Sequence, residues 1–446
     1  MYQPLTMDAM DAADARLSEN REHWPATIVV ATHNEHKIPE IVQALHLPDT
    51  QFQSLSALGI PDEAEEIASS FEGNAWIKAG FAFARCHQAC LADDSGLEVP
   101  ALGGAPGVFS ARYAGEKATD AENVAKLLAA MAGRPPDQRR ARFVCEIAYI
   151  AADGSELAAR GVSEGYLAEA PRGEAGFGYD PIFIPDDPGD GRTLAELSAT
   201  EKERVSHRGR ALRALRQKLL AQQPNAERTK LAVFDFDGTL LDGASPVRLV
   251  RRLLLKRVIP PQLALKTSFW GLRYKLRMSV QQELVRSYIF SGLTELSVPE
   301  VGQLMADLYE QELKPLLRPR GLLAIQQARQ DDRRIALVSA SFRPIISILA
   351  REVQADFFIC TEMEIQGNNY TGRVAVIPPE SYHKLLQLRA SADDLYGEGN
   401  WVLDSAYGDH ISDSYILSAA LHPFAVHPDH RLQTLAEELG WSVCYW

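Results

Sequence analysis

At 446 residues, with 46% hydrophobic and 24% charged side chains, the chain is globular in composition and too long for one ordinary core, so two or three domains are expected. A net charge of −13 argues against a nucleic-acid binder, which would carry a basic surface, but leaves nucleotide substrates open. No apolar run is long enough to span a bilayer, and the five scattered cysteines (Cys86, Cys90, Cys145, Cys360, Cys444) point to reduced thiols in a cytoplasmic protein.

Residues 1–22 are polar and acidic, without the apolar core of a signal peptide, and residues 1–25 read as a loose N-terminal extension. Residues 27–31 (TIVVA) form a β-branched run. It leads into a polar loop containing Thr32, His33, Asn34 and Lys37, then into a helical pattern through Leu45. A buried strand feeding such a loop and helix offers backbone N–H groups to a phosphate. After Glu63–Glu66 (EAEE), residues 70–86 repeat apolar positions along one helical face. Cys86 and Cys90 would lie one helical turn apart, as small buried residues or, with His87, as a metal site. Leu91 and Ala92 then lead to Asp93, Asp94, Ser95 and Gly96, expected as a sharp turn at a strand end. Adjacent carboxylates repel, and are tolerated where a divalent cation or hydrogen bonds neutralise them, or where the turn is simply solvated.

GGAPG (103–107), SARY (110–113), GFGYDP (176–181), AEL (195–197), EK (201–202) and SHR (206–208) follow in order. Together these motifs resemble the inosine triphosphate pyrophosphatase family over residues 27–220. The resemblance implies an α/β domain that hydrolyses noncanonical purine nucleoside triphosphates. It implies that Thr32, Asn34 and Lys37 hold the triphosphate, and that Glu66 and Asp94 bind Mg²⁺, with Asp94 also deprotonating the attacking water. Ser95 would contact substrate, and Phe177, Gly178, Tyr179, Asp180, Lys202, His207 and Arg208 would form the purine and phosphate pocket. It also implies a homodimer through this domain. His33 departs from the family, which often has Gly there.

A polar stretch with one proline, residues 222–230, separates residues 26–221 from a second domain, 231–446. Residues 231–234 (LAVF) read as a strand with Asp235, Phe236, Asp237, Gly238 and Thr239 at its tip. A strand ending in Ser339, then Lys384, then a strand ending in Gly408–Asp409 with Asp413 beyond it, complete a set resembling the haloacid dehalogenase superfamily. That implies a Rossmann-like domain in which Asp235 is the nucleophile and Asp237 the general acid and base. Ser339 and Lys384 would bind phosphoryl oxygens. Asp409, with Asp235, Asp237 and Asp413, would form the Mg²⁺ site. About a hundred residues separate Asp235 from Ser339, more than one crossover needs. They read helical at 247–258, 261–278, 281–291 and 299–316, a cap over about 243–318 that resembles the phosphoserine-phosphatase-like subfamily. Cap cations such as Arg248, Arg251, Arg273 and Arg277 would face an anionic substrate, a membrane surface, or only solvent. His410 stands where this motif usually carries Ser.

The expectation is a bifunctional hydrolase, Mg²⁺-dependent in both domains. The first domain would convert dITP, ITP or XTP to the monophosphate and pyrophosphate, and the second would cleave a small phosphomonoester. No nucleic acid or membrane partner is expected. For the second domain, a phosphoserine or other small-molecule phosphatase unrelated to nucleotides, or a non-catalytic interaction module, are the alternatives.

Overall fold

The computed structural model describes residues 25–32, 37–47, 49–222, 227–258, 290, 292–294 and 296–446. These divide into two compact units, Met1–Glu227 and Arg228–Trp446. Among the described residues no helix is long and apolar enough to cross a membrane.

The first unit is built on a mixed six-stranded sheet of order β2-β1-β3-β4-β5-β6. Its strands are β1 (Thr27–Val30), β2 (Gln51–Ser54), β3 (Ala89–Glu98), β4 (Arg140–Ile150), β5 (Glu156–Leu167) and β6 (Phe183–Pro185). β2, β1 and β3 run parallel, and β3 through β6 pair antiparallel. Helix Phe71–Cys86 is capped by Ser70, whose Oγ accepts from the Gly73 amide at 3.1 Å, and it packs on β3 and β4. Helix His207–Ala221 packs on β4 and β5, burying Ala211, Leu212 and Leu215 against Ile28, Leu91 and Ile147. Each leucine so buried contributes roughly 1.5–3 kcal/mol.

In this unit the sequence reading is corrected at two points. The Asp93–Gly96 segment is not a strand-end turn but the middle of β3, where Asp93 pairs with Ile147 and Asp94 with Glu146 across the ladder. The strand tolerates two adjacent carboxylates because successive side chains point to opposite faces of the sheet. Nor do Cys86 and Cys90 share a helix: Cys86 ends one, His87 caps it in the left-handed region, and Cys90 lies in β3.

The second unit holds an all-parallel sheet of order β14-β13-β12-β7-β8-β9. Its strands are β7 (Thr229–Phe234), β8 (Arg334–Phe342), β9 (Phe357–Thr361), β12 (Trp401–Gly408), β13 (His422–Val426) and β14 (Ser442–Cys444), while β10 (Met363–Gln366) and β11 (Asn369–Val374) form a separate hairpin. β7 is buried from Leu231 to Phe234, as a central parallel strand requires. β8 does not stop at Ser339 but continues to Phe342, with a register irregularity against β9 after Val338. Between β7 and β8 lie helices Ser245–Leu255 and Val298–Leu308, the latter continued by a π-helical turn, Tyr309–Leu313, and a 3₁₀ turn, Lys314–Leu316. The helices expected at 261–278 and, but for Phe290, at 281–291 lie outside the described residues, as do Arg273 and Arg277. Leu249, Leu253, Phe290, Leu304 and Met305 close over Phe342 in one apolar cluster.

Candidate active sites

In the first unit the two faces of β3 carry different chemistry. Asp93 faces helix His207–Ala221 and receives Lys37 Nζ at 3.0 Å, Ser95 Oγ at 3.0 Å and Arg208 Nη2 at 3.2 Å. Burial pushes its carboxyl up, but Lys37 and Arg208 override that and hold it far below the usual carboxylate range. Arg208 also donates to Glu40 at 2.7 Å, and Lys202 to Asp180 at 2.8 Å. Lys202 Nζ and the Arg208 guanidinium sit 4.9 and 5.4 Å from the centre of the Phe177 ring, which is 41% exposed. His207 stacks on Phe143 at 4.5 Å, and burial, reinforced by Arg208, keeps its imidazole neutral. Ammonium and guanidinium groups carry three and five donors, so these cations retain capacity for a polyanion.

Asp94 faces helix Phe71–Cys86. Lys78 Nζ donates to Asp94 at 2.7 Å and to Glu66 at 3.0 Å, and Asn74 Nδ2 donates to Asp94 at 3.2 Å. Asn74 Oδ1 in turn accepts from the Ala68 amide at 2.9 Å, tying down the segment that bears Glu66. Burial raises the Asp94 carboxyl, with Glu66 adding to the rise and Lys78 opposing it. Burial works against a charged Lys78, but Asp94 and Glu66 keep it protonated. A cation already bridges the Glu66–Asp94 pair, so this donor set suits a metal ion.

The structure thus gathers Lys37, Ser95, Phe177, Asp180, Lys202, His207 and Arg208 toward the Asp93 face, and Glu66 with Asp94 on the other. Thr32 follows β1, its amide bonded to Val30 O at 2.7 Å, while Asn34 and His33 lie outside the described residues. Tyr179, expected in the purine and phosphate pocket, is buried in the core, with its hydroxyl on Ser110 O at 2.9 Å. Gly178 is held through its amide by Asp120 at 2.7 Å. Asp93, Asn74 and Lys78 were missed by the sequence reading. Asn74 and Lys78, four apart on an otherwise apolar helix face, were the available signal.

Glu146 lies across the ladder from Asp94 and pairs with Arg160 at 3.2 Å. Burial raises its carboxyl to about 7, with Arg160 pulling it down and Glu72 pushing it up. A folded-state value above the unfolded one means that its contribution is fully present below the unfolded pKa and is lost as pH rises through about 7. Glu146→Gln is therefore expected to match wild type in unfolding free energy near pH ~5 and to exceed it by about 1 kcal/mol near pH ~8, after discounting for solvent screening. Denaturant titrations at the two pH values in EDTA check this.

In the second unit, parallel strands set their carboxyl ends side by side, the usual location for a site in an open parallel sheet. Asp235 follows β7 and Asp409 follows neighbouring β12, while Ser339 lies in β8 on the other side of β7. Lys384, in helix Tyr382–Tyr396, donates to Asp235 at 2.7 Å and to Asp413 at 2.6 Å. Asp413 also accepts from the amides of Asp409 and His410 at 3.2 and 3.1 Å. Carboxylate oxygens of Asp235, Asp409 and Asp413 all lie within 4.8 Å of one another. Burial raises Asp235 and Asp409, each repelled further by its acidic neighbours and only partly relieved by Lys384. Three buried or half-buried carboxylates sharing one ammonium leave an excess of negative charge, which fits a divalent cation.

Asp237, expected both as general acid and base and among the metal residues, is held by hydroxyls and an amide. Its carboxylate accepts from the Ser245 amide and from Ser341 Oγ, and from Ser245 Oγ at 3.0 Å. Burial raises it against those bonds. Ser339 Oγ accepts from the Ser341 amide at 3.1 Å. His410 does not enter the cluster; its Nε2 lies 3.3 Å from Asp429, which caps helix His430–Leu439. Ser245 and Ser341 were not singled out from sequence, and Thr239, named only as the end of the motif, donates its hydroxyl to Asp409 at 3.2 Å.

Gly238 has φ +79°, and a Cβ there would lie 2.0 Å from Asp409 Oδ2. Gly238→Ala is expected to displace Asp409 and lower phosphomonoester hydrolysis at least ~10²-fold, with the first unit's activity intact. Paired assays on the full chain check it.

The Ham1 family matches residues 28–218, and the haloacid dehalogenase-like hydrolases match residues 232–418. A dITP/XTP pyrophosphatase of Bacillus subtilis (strain 168) is 44% identical over 187 residues, covering 42% of this chain and 93% of that protein. One from Mycolicibacterium paratuberculosis is 47% identical over 191 residues, covering 42% of this chain and 93% of its own length. The solved Ham1 protein of Staphylococcus aureus is 38% identical, covers 44% of this chain and 100% of its own, and superposes with a TM-score of 0.41.

Proposed function

This chain belongs to the Ham1 family through its first unit and carries a haloacid dehalogenase-like hydrolase as its second, and from that premise we propose a bifunctional hydrolase of noncanonical purine nucleotides. The first unit hydrolyses dITP, ITP or XTP between the α- and β-phosphates, and the second removes a phosphoryl group from a monoester. The observation that carries the first reading is the cation-ready Glu66–Asp94 pair, with the adjoining Asp93 holding Lys37 and Arg208, and Asp180 holding Lys202.

In the first site Mg²⁺ on Glu66 and Asp94 would offset charge developing on the phosphates. Asp94 accepts the proton of the attacking water, a role its raised affinity for protons favours. Lys37, Lys202 and Arg208 hold the triphosphate, with Thr32, Asn34 and Ser95 beside it, and Lys78 steadies both carboxylates before substrate arrives. The base stacks against Phe177, where donors on the pocket reward a 6-oxo purine and leave a 6-amino group mismatched.

In the second site Asp235 attacks phosphorus and the ester bond breaks. Asp237, whose affinity for a proton is raised by burial, gives a proton to the departing oxygen. It then takes a proton from the water that releases phosphate from Asp235. Lys384 and Ser339 hold the phosphoryl oxygens, and Mg²⁺ on Asp235, Asp409 and Asp413 would offset their charge.

We take the domains as residues 26–221 and 231–446, with a cap over about 243–318, in a cytoplasmic homodimer joined through the first domain and acting on free nucleotides. The test is a Mg²⁺-dependent assay of the full chain. Pyrophosphate release should favour dITP and XTP over dATP, and phosphate release should follow from IMP or XMP. Equal turnover of dATP would sink the first assignment. Hydrolysis of phosphoserine with none of IMP or XMP would sink the nucleotide assignment of the second.

A further inference from the structure

Two thiols of the first unit lie outside both acidic clusters. Cys86 ends helix Phe71–Cys86 and Cys90 is the second residue of β3. His87, with φ +50°, caps the helix through its amide on Phe83 O and reverses the chain between them. The reversal leaves the sulfurs 3.4 Å apart. A disulfide needs about 2.05 Å, so side-chain rotation and a small backbone shift would close the gap. Both thiols are free.

The two positions differ in a way that divides labour. Cys90 is fully buried, whereas Cys86 is half-buried beside the exposed His87. The hydrogen bond shared with Cys90, helped by the Gln88 amide, lowers the Cys86 thiol to about 7 against the effect of burial. The same contact and burial push the Cys90 thiol up. An accessible thiol that ionises near neutrality beside a protected one is the arrangement in which the first is oxidised and the second resolves it.

We propose that Cys86 and Cys90 form a hydroperoxide-oxidisable dithiol that closes reversibly to an intramolecular disulfide. The Cys86 thiolate attacks one peroxide oxygen and the O–O bond breaks. The distal oxygen leaves as water or alcohol after taking up a proton, and Cys86 becomes a sulfenic acid. The Cys90 sulfur then attacks the Cys86 sulfur, the S–O bond breaks, and hydroxide leaves with the Cys90 proton as water. The thiols lose two electrons and the hydroperoxide gains them; an added dithiol reductant reverses the change. The bridge would staple the helix bearing Asn74 and Lys78 to the strand bearing Asp94, whatever substrate that site takes.

The full-length protein is treated with hydrogen peroxide under native conditions, alkylated and cleaved with trypsin. Both cysteines fall on one peptide, between Arg85 and Arg112. The expected product has lost two hydrogens and escapes alkylation, and dithiothreitol restores two alkylatable thiols. In Cys90→Ser, Cys86 should accumulate as a dimedone-trapped sulfenic acid, and in Cys86→Ser, Cys90 should stay reduced. A doubly alkylated wild-type peptide after peroxide, with Cys86 and Cys90 no more oxidised than buried Cys360, overturns the proposal without recourse to either variant.

Discussion

Asp235→Asn is expected to lower phosphomonoester hydrolysis by the full chain about 10⁴-fold or more, while pyrophosphate release from dITP stays unchanged. The amide lacks the anionic oxygen that in the proposed mechanism forms the bond to phosphorus, and no described neighbour can replace it. Asp237 is engaged by Ser245 and Ser341, and Asp409 and Asp413 are fixed by Thr239, Lys384 and backbone amides. The substitution also removes one of the carboxylates that repel one another around Lys384, which keeps Asp413 as partner. The thermal midpoint should therefore not fall, separating lost chemistry from lost structure. Retention of more than about 1% of the phosphatase activity would refute Asp235 as the nucleophile.

Asp94→Asn should lower pyrophosphate release from dITP by about 10²–10⁴-fold and leave phosphatase activity unchanged. Two effects combine. In the proposed mechanism the base that accepts the water's proton is lost, and the cation would lose one of its two carboxylates. Unlike the first variant, this one carries a stability cost: Lys78 stays buried with Glu66 as its remaining ion-pair partner among the described residues, a loss of about 1–3 kcal/mol. Assays below the lowered unfolding midpoint, read as kcat against pH, separate the two. Loss of the base should flatten the limb that titrates with Asp94, whereas mere loosening would scale the whole profile.

Much of the second site was readable from sequence because its pieces sit where parallel strands end. Asp235 follows an apolar run and Asp409 the mixed strand WVLDSAYG, and strand adjacency brings together residues far apart along the chain. What stayed hidden there were hydroxyls. Ser245 and Ser341 occupy a helix start and a strand interior, where serine is common, and only folding aims both at Asp237. In the first unit, Asp-Asp-Ser-Gly reads as turn chemistry because each residue favours turns. Long-range pairing with β4 outweighs that local preference. Lys78 was passed over because a lysine within a helix ordinarily snorkels to solvent, whereas Asp94 and Glu66 stop this one beneath the surface. The cation-binding role of the Phe177 ring, by contrast, depends on exposure that no motif encodes.

The mid-strand position of Asp93 and Asp94 makes chain length, more than residue type, the sensitive variable in this part of the molecule. The two carboxylates are chemically identical, and the direction in which each one points decides that one holds Lys37 and Arg208 while the other meets Lys78. Inserting one residue among 89–92 without a compensating bulge would turn Asp93 to the Lys78 face and Asp94 away from it, and deleting one would turn Asp94 to the Lys37 face. Conservative replacements of Leu91 or Ala92 should be tolerated there far better than any change in the count of residues.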